Sequence, residues 1–569
     1  MNPPCEILRF RGRQPTALAF GTSGLRGLVT DITDLEAYIN TRGFLNYLRQ
    51  LGAQPGEPVS VAGDLRPSTD GPHRSILRAV ARAVADSGFQ VDNLDRLPTP
   101  ALTYFAMKHN RACIMVTGSH IPFDRNGIKF NKPDGEVLKN DEPEILKAVE
   151  RVRRVEYGRP AAESLMADDG MFKKGEQPSL PTPNSHAGRD YIRRYLEFLP
   201  RDSLKRTRLV FYQHSAVGRD LLLELLTALG AQVIPAGRSE SFVPIDTEAI
   251  SDEKLALLQQ LTDRARHSHG PIDAIVSTDG DSDRPLVAGV DPAGHVRFLA
   301  GDLLGILTAE FLGADAAVVP VSVNDAVDRW AAGRSVTVFK TRIGSPYVIE
   351  SMKHARAAGA TRVVGWEANG GFLTGTDIER NGRMLAALPT RDAALPLLAA
   401  LCSAKERGVS LVERIELLPR RFSKAGLIDD FPLETSRALL RRFTPADDHV
   451  RQVDFAEAEI RVHYAGDSSE PAQPHLTRQL DSIRRDLERF FGPRDGFDSV
   501  VSVNLLDGVR IFFANGDIAH VRPSGNAPQL RIYAVADTQD RANAIVATAA
   551  SGPNPILRRM EAAVTAPCS

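Results

Sequence analysis

RSILRAVARAVADSGFQVDNL, residues 74–94, joins two kinds of pattern at one glycine. Up to Gly88 the apolar residues recur at helical spacing, and the glycine stops the helix. FQVDNL beyond it reads as a strand. The plan returns at RDLLLELLTALGAQVIPAG (219–237), again helix, glycine, strand. It returns a third time where the helical GDLLGILTAEFLG (301–313) leads to the strand AVVPVSV (317–323). Short β-branched runs alternating with Ala/Leu-rich amphipathic stretches are the pattern of α/β layers. Three recurrences imply several similar α/β domains, although no strict sequence repeat runs through them.

Softer segments separate these units. Residues 155–190, rich in Gly, Pro and Ser, read as a linker or surface insertion, and AGDSSEPAQPH (465–475) as a loop. After about residue 418 the character changes: many charges, then strands at 499–505, 509–513 and 529–536 and a helix over 537–551. That part predicts a smaller α+β unit. A chain of 569 residues exceeds one hydrophobic core, and its length suggests about three to five domains.

With 43% hydrophobic and 25% charged residues and a formal net charge of -1, the balance gives no reason to expect nucleic acid or an anionic membrane as partner. Phosphate binding would have to come from local clusters of charge. The four cysteines form no C-x-x-C pair, which predicts a reducing cytosol rather than a disulfide or zinc framework. Cys113, in an apolar run, reads as core. The first residues lack a signal-peptide stretch, and no segment reaches the ~20 apolar residues that span a bilayer. A cytoplasmic protein is expected.

AIVSTDGDSDRPLVAGV (274–290) runs a strand into Asp279, Asp281 and Asp283 and out into a second strand. Carboxylates at alternate positions of a tight loop repel one another unless they converge on a hard cation such as Mg²⁺. An EF-hand does not fit, because its sixth position is Arg284 and its twelfth Val290. The bland alternative is an acidic surface turn. Arg284 would suit a phosphate beside the cation. RPSGNAPQLRIYAV (522–535) sets Arg522, Ser524, Gly525 and Asn526 before a strand, which is either a phosphate cradle or a Pro-Ser-Gly turn. VVGWEANGGFL (363–373) ends a strand in Glu367 and Asn369. They suit paired hydroxyls, or else form a glycine turn with a solvated glutamate. FGTSGLRGLV (20–29) offers a glycine loop with Arg26, and GDLRPST (63–69) a turn held by Asp64 and Arg66. NGIKFNKPDGEVL (126–138) reads as a hairpin. There Lys129 points away from the face of Ile128 and Phe130, as an exposed lysine would. MVTGSHIPFDRNGIKF (115–130) places Ser119 in the turn before it.

In this order, GTSGLRG, TGSHIP with NGIK, DGDSDR, WEANGG and RPSGNAPQLRIY resemble the motifs of the α-D-phosphohexomutase family, the phosphoglucomutase and phosphomannomutase enzymes. The resemblance runs from about residue 20 to about residue 550. It implies three similar α/β domains and a smaller α+β C-terminal domain around a central active-site cleft, with residues 1–190, 191–298, 299–418 and 419–569 each giving one loop. It implies that Ser119 carries a phosphoryl group and that Mg²⁺ is held by Asp279, Asp281, Asp283 and Ser119. Lys129, Arg26 and Arg284 would surround the reacting phosphate, with Lys129 or His120 moving a proton. Glu367 and Asn369 would hold sugar hydroxyls, and Arg522, Ser524, Gly525 and Asn526 the distal phosphate. The reaction implied moves a phosphoryl group between the 1- and 6-positions of mannose or glucose phosphate through a hexose 1,6-bisphosphate. The partners would be small-molecule hexose phosphates, and the protein a monomer or homodimer.

The chain departs from the family pattern at Gly118 and Ile121 in the serine loop. In the last loop it departs at Asn526-Ala527-Pro528-Gln529. In the sugar loop Asn369 replaces the usual serine, and Gly371 stands where some relatives have histidine. Gly118 reads as a mild change, whereas Ile121 removes a polar group. FKTRIGSPYV (339–348) resembles a further contact loop. The sugar loop lacks the glucose-type sequence, which leans the choice towards mannose. An amino-sugar mutase, a non-catalytic sugar-phosphate binder and a phosphatase are the alternatives.

Overall fold

The computed structural model describes residues 10–11, 16, 18–21, 24–71, 74–248, 250–456, 459–464, 468–523 and 528–565. The chain divides into two compact units. The first holds residues 1–319, 335–339 and 344–417; the second holds 320–334, 340–343 and 418–569.

The first unit contains three mixed sheets with one plan. In the first, Pro58–Gly63 runs parallel to Gln90–Arg96 and to Cys113–Val116, which pairs antiparallel with Arg125–Lys132. In the second, Arg208–His214 runs parallel to Gln232–Arg238 and Ala274–Thr278, which pairs antiparallel with Pro285–Val290. In the third, Ala316–Pro320 runs parallel to Val363–Trp366, which pairs antiparallel with Phe372–Thr374. Each sheet thus ends its parallel run in an antiparallel pair. The loops of those pairs carry Ser119, the three aspartates and Glu367. The inner strands CIMV, AIVST and VVGW are buried along their whole length, as strands covered on both faces must be.

The expected units are present. Ser75 caps the helix Ile76–Asp86 by accepting from the Arg78 amide, and the strand Gln90–Arg96 follows. Helix Arg219–Ala228 leads to strand Gln232–Arg238, and helix Gly301–Leu312 to strand Ala316–Pro320. Between helices Glu142–Gly158 and His186–Phe198 the described backbone forms only one isolated bridge, Met166 with Phe172. This insertion is nonetheless tied down. The Gly170 carbonyl accepts from the Leu35 amide at 2.9 Å, and the Asn184 amide donates to the Asn93 carbonyl at 2.7 Å.

The second unit is α+β. Its antiparallel sheet has the order Phe422–Ile428, Leu530–Ala536, Ile518–Pro523, Val509–Phe513, Val500–Asn504, Val450–Phe455, Ile460–Tyr464, Ser469–Pro471. One core joins it to helices Leu433–Phe443, Pro474–Phe490, Gln539–Ala550 and Ile556–Thr565. The loop read at 465–475 is shorter than expected: Ser469–Pro471 is an edge strand and a helix starts at Pro474. Residues 320–334 belong to this unit through polar contacts. Arg421, with a side chain 0% exposed, pairs with Asp325 at 2.7 Å and Asp537 at 2.9 Å. Asn324 donates to the Arg421 carbonyl at 3.1 Å, and Arg510 donates to the Val321 and Val323 carbonyls. Among the described residues no helix is long and apolar enough to cross a membrane.

Candidate active site

Ser119 follows the strand Cys113–Val116 and takes a left-handed backbone, φ 53°, with its side chain turned inward and 0% exposed. Its Oγ donates to Asp279 Oδ2 at 2.6 Å. That bond joins the loops of the first two sheets. Asp281 accepts at Oδ2 from Lys129 Nζ and from Thr99 Oγ1, both at 2.6 Å. Asp283 Oδ2 accepts from Lys129 at 2.8 Å and from Arg391 Nη2 at 2.9 Å and Nε at 3.1 Å. Arg391 then reaches Glu367 Oε2 through Nη1 at 2.9 Å, which brings in the third loop. Serine, aspartates, lysine and glutamate therefore form one hydrogen-bonded network in the first unit.

The electrostatics favour a cation among the aspartates. One oxygen from each of Asp279, Asp281 and Asp283 lies within 4.8 Å of the others. Among the described residues, Asp281 Oδ1 and Asp283 Oδ1 are buried without a hydrogen-bond partner, a costly state unless a ligand fills it. Burial, then Asp281 and Asp283, push the Asp279 carboxyl well above its usual range. Burial would lift Asp283 too, but Arg391, Lys129 and Arg284 outweigh it and hold it well below. Buried carboxylate oxygens with free lone pairs suit a hard divalent cation.

A second set of charges suits an anion. Arg26 lies on the strand Leu25–Leu28, and among the described residues its Nη2 is buried without a hydrogen-bond partner. Arg284 Nε makes no hydrogen bond there either, only longer ion pairs with Asp283 Oδ1 at 3.7 Å and Asp279 Oδ2 at 4.0 Å. Burial, then Arg284 and Arg391, bring Arg26 down to about 10 against the opposing pull of Asp281 and Asp283. Burial, with Arg284 and Arg26, also keeps His120 far below the ordinary imidazole range. Its Nδ1 lies 2.8 Å from Arg284 Nη1 and 3.5 Å from Ser119 Oγ. Because the arginine can only donate, Nδ1 accepts and the ring proton sits on Nε2.

Several residue-level expectations change. Lys129 is 5% exposed, not a surface lysine. Its strand face, opposite Ile128 and Phe130, is covered by the aspartate loop. Burial lowers its pKa, but Asp281 and Asp283 outweigh that and hold the ammonium above its usual range. Glu367 is buried and ion-paired rather than solvated. Asn369 Oδ1 accepts from the Gly371 amide at 2.9 Å, so part of its side chain shapes the turn itself. Gly118 is not a mild change: a Cβ there would lie 2.6 Å from Arg66 Cζ. Gly371 is bare for a like reason, since its Cβ would meet Arg391 Cδ at 2.6 Å. Ser345, in the 339–348 loop, donates to Glu136 Oε2 at 2.6 Å, whose other oxygen accepts from Thr390 at 2.6 Å. In the second unit Arg522 Nε lies 3.5 Å from Asp507 Oδ1. Ser524, Gly525 and Asn526 lie outside the described residues.

Arg391 and Thr99 carried no signal in the sequence. The arginine sits in a strand, LPTRD (388–392), and the threonine at the start of the helix Thr99–Lys108. Neither stretch has a spacing that marks chemistry.

Models of the phosphoglucomutase/phosphomannomutase family match alpha/beta/alpha domain I over residues 17–156, alpha/beta/alpha domain III over 300–422 and the C-terminal domain over 474–551. A phosphomannomutase of Sinorhizobium fredii is 38% identical over 535 residues, 93% of this chain and 97% of that protein. One of Salmonella muenchen is 36% identical over 537 residues, 94% of this chain and 95% of that protein. The fold also matches a crystal structure of a putative phosphomannomutase from Thermus thermophilus, with TM-score 0.63 and 20% identity over 93% of this chain and 98% of that one. By class the protein is an isomerase of the phosphomutase kind. The chain belongs to the phosphoglucomutase/phosphomannomutase family, the hexose phosphate mutases.

Proposed function

We propose that the protein interconverts mannose 1-phosphate and mannose 6-phosphate, using Ser119 as phosphoryl carrier. The bond from Ser119 Oγ to Asp279 Oδ2 at 2.6 Å carries this reading, because it sets a buried hydroxyl at the edge of the carboxylate cluster. The choice of sugar rests on the two phosphomannomutases at 36% and 38% identity. Mg²⁺ held by Asp279, Asp281 and Asp283 would supply charge neutralisation at the phosphoryl group. The four-domain division at 190, 298 and 418 and a cytoplasmic location complete the proposal. Both described cysteines, Cys113 and Cys402, are unpaired, which suits that location.

In the forward step the bond from phosphorus to Ser119 Oγ breaks and one to the free sugar hydroxyl forms, giving a hexose 1,6-bisphosphate. After the sugar turns over, the other phosphoryl returns to Ser119. The chain's work is positioning and charge. Arg26 and Arg284 offer unspent donors to the phosphoryl oxygens. Lys129 remains an ammonium between Asp281 and Asp283. His120 takes the hydroxyl proton at Nδ1, once the incoming phosphate draws Arg284 Nη1 off that nitrogen and offsets the arginines that, together with burial, depress the imidazole. Glu367, oriented by Arg391, grips hydroxyls in the middle of the ring, and Arg522 with the 524–526 loop takes the distal phosphate.

Phosphorus NMR tests this directly. Mannose, glucose and glucosamine 1-phosphates are supplied separately, with Mg²⁺ and a trace of the matching 1,6-bisphosphate. The 6-phosphate is expected fastest from mannose and absent with Ser119→Ala, which leaves the fold unchanged by circular dichroism. Faster turnover of glucosamine phosphate would move the assignment to an amino-sugar mutase, and free phosphate alone would make it a phosphatase.

A further inference from the structure

Ser119 occupies backbone space that costs an L-residue roughly 1–2 kcal/mol and that persists only where the surroundings impose it. One side chain holds the loop by four of its carbonyls. Arg66 Nη2 donates to the carbonyls of Ser119 and Ile121, and Nη1 to those of Pro122, at 2.7 Å, and Arg125, at 3.1 Å. Its Nε pairs with Asp64 Oδ2 at 3.2 Å, and both side chains are 0% exposed. The guanidinium lies 3.9 Å from the centre of the Phe242 ring, which comes from the neighbouring α/β region. Asp64 adds the other half of the grip, accepting from Thr117 Oγ1 at 2.7 Å and the Gly118 amide at 3.3 Å.

We propose that Arg66 is a positioning residue for Ser119 and that Gly118 is the space it requires. A planar fork can serve four carbonyls and a carboxylate at once, whereas a lysine ammonium cannot. It reaches them only because residue 118 has no side chain. A Cβ there would stand 2.6 Å from Cζ, 2.7 Å from Nε and 2.9 Å from Nη2. Gly118 and Arg66 therefore form a matched pair. Removing Arg66 does not orphan Asp64, which keeps the hydroxyls of Thr69 and Thr117 and the amides of residues 66 and 118. The loss falls on the serine loop.

The inference rests on Ser119 as phosphoryl carrier, and two readouts separate it from that reading. One is mutase turnover. The other is amide hydrogen exchange over 117–125, which needs no activity. Arg66→Ala is expected to lower kcat roughly 100-fold, with KM little changed and exchange over 117–125 accelerated. Guanidinium ion added to Arg66→Ala should restore part of both; methylammonium should restore neither. Gly118→Ala should produce the same loss with Arg66 present. The double variant should be no worse than Arg66→Ala, and guanidinium should fail to rescue it because the new methyl fills the vacated place. Should Arg66→Ala not fold, Gly118→Ala carries the test through the same two readouts. Wild-type kcat and exchange in Gly118→Ala would overturn the proposal, as would equal rescue of the double variant. If the wild type itself shows no turnover, the function assignment fails, and the exchange measurements still decide the role of Arg66.

Discussion

One oxygen of Asp283 accepts from both Lys129 and Arg391, while its other oxygen makes no hydrogen bond among the described residues and faces Arg284 Nε at 3.7 Å. The guanidinium that helps neutralise this carboxylate also orients Glu367, so one residue serves two loops. Arg391→Ala would leave two buried carboxylates short of counter-charge. Breaking such a pair costs about 3–5 kcal/mol, and chemical denaturation should read a loss of that size along with most of the activity. Arg391→Lys should recover little, since an ammonium cannot span Asp283 and Glu367 together. Sequence reasoning reached the aspartates because their alternation is a pattern in itself, and reached Ser119 only through family resemblance. It missed Arg391 because a lone strand arginine between Thr390 and Asp392 carries no spacing. It misplaced Lys129 because alternation tells which strand face a side chain leaves, not what covers the other face.

Among the elements, helix Asp34–Gln50 crosses helix Glu142–Gly158 at Gly43, where an added Cβ would lie 2.3 Å from Val149 Cγ2 and 2.7 Å from its Cα. Gly43→Ala should gain up to about 1 kcal/mol of helix propensity and lose about 1–3 kcal/mol to overpacking. Because the obstacle includes backbone, the loss wins, and Tm should fall. A rise would mean that the helices separate easily. The helix-glycine-strand units were legible because each helix is an apolar-periodic run that stops at a glycine, and Gly88, Gly230 and Gly313 do take the positive φ of such stops. Ile518–Pro523 was not, because His520, buried with its Nε2 2.6 Å from the Asp507 carbonyl, breaks the run. Strands such as Val450–Phe455 and Ile460–Tyr464 interleave charged residues with apolar ones and look like loop when read without their partners.

For the whole molecule, the second unit is assembled from separated stretches of chain. A fragment cut at residue 418 keeps its own sheet but loses Asp325 from Arg421 and the Val321 and Val323 carbonyls from Arg510. Such a fragment should denature at lower urea than the same unit within the intact protein, and a peptide of residues 320–343 should raise its midpoint. An unchanged midpoint would show that these stretches contribute little. The same arrangement sets an order of events on the ribosome. Residues 320–334 emerge long before the strands they belong with, and at ~5–20 residues per second they wait roughly 5–20 seconds for Arg421 and roughly 10–40 seconds for Arg510 to follow. Throughout that interval the nascent chain exposes a buried segment with no partner, which is where a holding chaperone would find it.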